Sequence, residues 1–131
     1  MCRILLSINP EHVENIFIGK KEYEFRKTKC QRKIDGVIIY STSPVMKVVG
    51  EAEVEEIIEA PPNDVWKITK EKSGINKDFF DKYYKDKSSA VAYKLSNIVK
   101  YDIPKELKEY GVDSAPQSFV YVKEDLLGPF C

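Results

Sequence analysis

Lys21, Glu24 and Arg26 fall within six residues, inside the run Gly19-Lys20-Lys21-Glu22-Tyr23-Glu24-Phe25-Arg26. A lysine beside a carboxylate can handle protons around an attacking water, because each group shifts the other's protonation when the two are desolvated together. The same cluster can instead hold a polyanion: Lys21 and Arg26 contact phosphate or a base carbonyl, while Glu24 orients Lys21 or accepts from an exocyclic amine. A third reading needs no ligand, since mixed charges on an edge strand discourage aggregation. Taken alone, the octapeptide favours that third reading.

The elements that must position these side chains follow from local pattern. Gly19 can end a helix, and Tyr23 and Phe25 alternate with Glu22, Glu24 and Arg26, which predicts a turn and then a half-buried strand with charge on its outward face. In a regular strand Lys21 and Glu24 point to opposite faces, so they share a pocket only if Lys21 lies in the turn or the strand bulges. Upstream, Arg3 to Ile8 reads as a buried strand. Asn9-Pro10 then opens a helix carrying Val13, Ile16 and Phe17.

Downstream, Asp35-Gly36 marks a turn before a buried strand, Val37 to Tyr40. The loop Ser41-Thr42-Ser43-Pro44 has hydroxyls that could bind a phosphate or a base edge, or could form a plain turn. Val45 to Ile58 reads as one long strand bent at Gly50. After Pro61-Pro62, Asn63 or Asp64 is expected to cap a helix, and a second helix runs near Asn76 to Lys85, giving a helical insertion at about 63–86. Its Phe79, Phe80, Tyr83 and Tyr84 are read as core rather than as stacking platforms. Ala90 to Val99 returns to strand and bends towards Tyr101, Ile103-Pro104 introduces a short helix ending near Tyr110-Gly111, and Pro116 suits a helix's first turn, with Gln117 and Ser118 facing solvent.

The 131 residues suit a single domain, with a hydrophobic fraction of 43% and no apolar run long enough to cross a bilayer. The start is too short and strand-like for a signal peptide, which leads us to expect a cytoplasmic protein. Cys2, Cys30 and Cys131 lack a Cys-x-x-Cys pair and are read as free thiols. With His12 the sole histidine, no metal and no cofactor are expected, and His12 is read as a helix-surface residue. Net charge is zero, but Lys20 to Lys33 holds seven basic residues against two glutamates, while Glu51 to Glu59 holds five glutamates and no base. Such polarity could steer a polyanion to one side, or offer an acidic face to a protein partner, as an adaptor would.

With these elements in place, the sequence resembles the ASCH family, the activating-signal-cointegrator homology domains of the PUA-like superfamily. Gly19, Lys21, Glu24 and Arg26 match its first signature, Ile39 to Pro44 with Val48-Val49-Gly50-Glu51 its second, and Pro116-Gln117-Ser118-Phe119 with Tyr121 its third. The resemblance implies an α+β fold, a PUA-like mixed β-barrel of about five or six strands with peripheral helices, spanning residues 1–131 as one domain and expected to be a monomer. It implies RNA or a modified nucleobase as ligand, in a cleft lined by Lys20, Lys21, Glu24 and Arg26. Ser41, Ser43, Gln117 and Ser118 would stand at the mouth, with Tyr40 or Tyr121 as a stacking face.

Related branches hydrolyse N4-acetylcytidine-type amides or cleave RNA, and in that case Lys21 and Glu24 would be catalytic. The hydrolytic branch carries Lys-x-x-Thr, and Glu24 replaces that threonine here, so a hydroxyl nucleophile is absent from this position. For that branch's further glutamate, Glu71 is the nearest counterpart.

Overall fold

The computed structural model describes residues 2–122. Six strands form one sheet: β1 (Arg3–Ile8), β2 (Tyr23–Arg26), β3 (Gly36–Ser41), β4 (Lys47–Ala60), β5 (Ala90–Lys105) and β6 (Phe119–Val122). Their spatial order is β2-β5-β4-β3-β1-β6. β1 and β3 run parallel, and every other pairing is antiparallel. Helix α1 (Pro10–Phe17) crosses from β1 to β2, while α2 (Pro62–Thr69) and α3 (Lys77–Tyr83) lie between β4 and β5.

The sheet curls into a half-barrel because β4 and β5 slip register at several points along their length. Gly50 sits at one of these slips. A Cβ there would stand 2.4 Å from the Val99 carbonyl oxygen and 2.8 Å from the Phe17 ring, so only glycine lets β4, β5 and α1 approach this closely. The edges β2 and β6 are brought near each other by Arg26, whose Nη2 donates to the Ser7 carbonyl of β1 at 2.9 Å and whose Nη1 donates to Ser118 Oγ at 3.4 Å.

The apolar residues sort by strand alternation. Ile4, Leu6, Ile8, Val37 and Ile39 join Val13 and Ile16 of α1 in one cluster. Leu5, Ile38 and Tyr40 face the other way, towards Val48, Val112 and Val122. A third cluster under α2 and α3 joins Phe25, Val65, Phe80, Tyr84 and Ala92. The helical aromatics read as core therefore divide: Phe80 and Tyr84 are buried, whereas Phe79 stays exposed.

Several local expectations change. Pro61, not Asn63 or Asp64, is the N-cap of α2, with Pro62 opening the helix. Ile103-Pro104 begins no helix: it remains in β5, within a slip where no ladder partner is assigned between Lys100 and Lys105, and there a proline costs no hydrogen bond. A 3₁₀ turn follows only at Leu107–Tyr110. Pro116 begins no helix either, because the residues after it pair with the otherwise open side of β1 as β6. Cys30 is a buried free thiol, but Cys2 is disulfide-bonded, contrary to the reading of free thiols. Separation along the chain does not decide which thiols a fold brings together. Cys131 lies outside the described residues. Among the described residues, no helix is long and apolar enough to cross a membrane.

Candidate functional site

Lys21 lies in the turn. The amides of Lys20 and Lys21 both donate to the Asn15 carbonyl at 3.0 Å, continuing the C-terminal wrap of α1, and the strand proper begins only at Tyr23. Lys21 also forms an isolated antiparallel bridge with Ser73, and the Glu22 amide donates to the Lys72 carbonyl at 2.8 Å. The condition set by strand geometry is met in this way, and Lys21 and Glu24 line one cavity of about 170 Å³. Ser7 and Asn9 contribute from the β1–α1 junction, His12 from α1, Arg26 from β2, and Phe79 and Tyr83 from α3.

Lys21 is 2% exposed; its ammonium donates to the Ser73 carbonyl at 2.9 Å and lies 4.6 Å from the Phe25 ring centroid. Burial pushes its pKa below the ordinary lysine value; Glu24 opposes that shift and Arg26 reinforces it. Glu24, 6% exposed, does not neutralise Lys21 by direct contact. Its Oε2 accepts from Arg26 Nη2 at 2.8 Å, and among the described residues that is its ion pair. Arg26 is thus shared between a buried carboxylate and the seam of the half-barrel, and its Nε is buried without a protein partner.

His12 packs edge-on to Phe79, with ring centroids 5.4 Å apart and planes at 71°. Its Nδ1 is buried without a protein partner, and burial, then Lys21, lowers its pKa from 6.5, so the imidazole is neutral at pH 7. The Tyr83 hydroxyl donates to the Phe25 carbonyl at 3.3 Å and is held protonated, chiefly by burial. The cavity therefore offers a desolvated amine, a paired carboxylate, an uncharged imidazole and unsatisfied nitrogens within one apolar rim. Such a set can move protons or grip a small polar heterocycle.

Of the residues singled out in the sequence, Lys21, Glu24 and Arg26 converge. Ser118 joins them through Arg26, and the Ser7 hydroxyl fastens the segment by donating to the Pro116 carbonyl at 2.7 Å, with Gln117 exposed between. Lys20 is exposed and borders the neighbouring groove, as does Glu71. Ser41 is buried at the end of β3 and Ser43 is exposed in the following turn; neither lines the cavity, although the Thr42 amide between them donates to the Ile8 carbonyl at 3.0 Å. The two tyrosines need correction. Tyr40 is 3% exposed in the opposite cluster, because it follows Ile39 and alternation turns it to the other face. The Tyr121 ring is covered by the Arg32 guanidinium at 4.5 Å, and its hydroxyl accepts from the Arg32 amide at 3.1 Å. His12, far from being a free surface residue, forms part of the wall. The available signal was its i,i+4 relation to buried Ile16, which sets both on one helix face. Nothing local marked Ser7, Ser73 or Tyr83.

Residues 3–119 match the model of a family described as a domain of unknown function, DUF365. The chain belongs to that family. This DUF365 member superposes on the crystal structure of ASCH from Zymomonas mobilis with a TM-score of 0.84 at 24% identity, covering 93% of this chain and 88% of that one. A point variant of the same protein gives 0.84 at 25% identity, covering 93% and 91%. The resemblance to ASCH domains thus holds in fold, and the curated ASCH domain-containing ribonuclease of Zymomonas mobilis is 29% identical over 92 residues, 70% of this chain and 62% of that protein. Large ribosomal subunit protein uL22 of Ureaplasma parvum serovar 3 is 34% identical over 121 residues, 92% of this chain. The DUF365 chain spans only 39% of that relative's length.

Proposed function

We propose that this DUF365 member binds RNA and seats one nucleotide in the cavity of Lys21, Glu24 and Arg26. The observation that carries the reading is Lys21: a nearly fully buried ammonium bonded to a backbone carbonyl, at the base of an open cavity, while the adjacent carboxylate is engaged by Arg26. An unneutralised buried cation is costly unless a ligand or a proton loss relieves it. At about 170 Å³ the space suits one flat heterocycle, and it is smaller than pockets for drug-sized ligands. His12 and Arg26 line the same cavity, and each carries a buried nitrogen without a protein partner. A relative named as an ASCH domain-containing ribonuclease agrees with an RNA ligand.

The test is the affinity of Lys21→Met for single-stranded and structured RNA pools at low and moderate salt. Methionine keeps the volume and removes the charge. A loss of about tenfold or more is expected, in line with a charge-assisted hydrogen bond; equal affinity would sink the reading.

A second reading, hydrolysis, is favoured by one observation. The neutral His12 places a proton acceptor in the same cavity as Lys21, whose pKa burial lowers. Labelled RNA and N4-acetylcytidine, each incubated with the protein, decide it. Turnover lost in Lys21→Met supports catalysis, and no turnover of either substrate leaves binding alone.

A further inference from the structure

Phe79 is 47% exposed, although the next aromatic on α3, Phe80, is buried, and it stands on the partition between two spaces. Phe79, His12 and Ile75 line both the cavity and an adjoining groove of about 510 Å³ on the outer side of α1 and α3. Lys20 and Lys70 both border this groove, one from the turn after α1 and the other from the residue after α2. Both are exposed, and among the described residues neither is ion-paired. Glu11 and Glu71 also face the groove, so its charge is mixed and a bare polyanion is not its natural occupant. Two separated cations, an exposed aromatic ring and two carboxylates instead match the parts of a nucleotide: phosphate, base face and an amino-bearing base edge.

We propose that this groove is a second nucleotide subsite, holding the residue adjacent to the one in the cavity. Its base stacks on Phe79, its phosphate lies between Lys20 and Lys70, and Glu11 or Glu71 accepts from an exocyclic amine, so that cytosine is preferred to uracil. The proposal rests on the RNA reading of the cavity and extends it from a single nucleotide to a strand whose path crosses the Phe79 partition.

The test compares cytidine monophosphate, hexacytidylate and hexauridylate on wild type, Lys21→Met and the triple variant Lys20→Ala, Lys70→Ala, Phe79→Ala. All three groove residues are exposed, and an unchanged thermal midpoint verifies that the triple variant folds. In wild type hexacytidylate is expected to bind at least about tenfold more tightly than the monophosphate, as one stacked base contributes. The triple variant should erase that gain and reduce the slope of log K against log salt by about 0.7, the value for one phosphate contact on a single strand, while the double variant Lys20→Ala, Lys70→Ala, which keeps the Phe79 wall of the cavity, should leave monophosphate affinity unchanged. Hexauridylate should bind more weakly than hexacytidylate, with the difference shrinking in Glu11→Gln, Glu71→Gln. A hexamer gain that survives the triple variant overturns the subsite, and equal binding of the two hexamers by wild type overturns the carboxylate selection. If Lys21→Met leaves all three probes unaffected while the triple variant abolishes hexamer binding, the groove stands and the cavity reading falls. If no probe binds wild type, both fall.

Discussion

Gly74 lies directly over Lys21: a Cβ added to the glycine would stand 2.5 Å from the lysine Cβ and 2.8 Å from its Cγ. The preceding residue, Ser73, receives the ammonium on its carbonyl, so one short loop both covers the stem of Lys21 and anchors its head. Gly74 also adopts φ +71°, which a side chain resists. Gly19 has a similar φ of +85° but open space around it, and it separates the two effects. Gly19→Ala should cost about 1 kcal/mol from backbone strain alone. Gly74→Ala should cost clearly more and displace Lys21. Denaturant unfolding of both variants checks this, and equal losses would show that the close approach does not constrain the site.

The Arg26–Glu24 pair predicts a non-additive double variant. Arg26→Met leaves Glu24 buried without its cation and also opens the bond to the Ser7 carbonyl, at a cost of about 3–5 kcal/mol. Adding Glu24→Gln removes the orphaned charge and should recover a substantial part of that loss, giving a coupling of about 1–3 kcal/mol. Simple additivity in a double-mutant cycle would mean that the two groups do not depend on each other. Arg26 is therefore a poor position for testing ligand contact alone, since its loss also disturbs the half-barrel seam.

His12 should make the protein sensitive to mild acid. Its folded pKa lies below 6.5, so as pH falls from that value the unfolded chain takes up a proton that the folded chain refuses. Stability is then lost as pH drops through the interval between 6.5 and the lower folded value, and the contribution is complete above it. The difference between wild type and His12→Gln, measured by urea unfolding from pH 5 to pH 7.5, cancels the titration of the carboxylates. Wild type should lose more stability than the variant on acidification. Parallel curves would place His12 in an environment no different from solvent.

Much of this protein is legible from short stretches of chain. Asn9-Pro10 opens α1 as its chemistry requires, with the Asn9 side chain accepting from the Glu11 amide, and Asn76 caps α3 in the same manner. The alternation in Tyr23 to Arg26 marks a strand, and the run from Lys21 to Arg26 holds the charged centre of the site, because turn chemistry and strand periodicity act between neighbours. What depends on distant partners is not written locally. The residues after Pro116 become β6 because β1 offers them backbone groups to pair with, and Pro104 stays in β5 because β4 slips beside it. The outward face of β2 is not solvated as its charges suggest, since α1 and α3 close over Glu24 and turn a polar strand face into a cavity wall. His12, Ser73, Phe79 and Tyr83 reach Lys21 only through the packing of both helices. Their roles rest on burial and on hydrogen bonds across more than fifty residues of chain, and those are properties of the folded packing rather than of any local spacing.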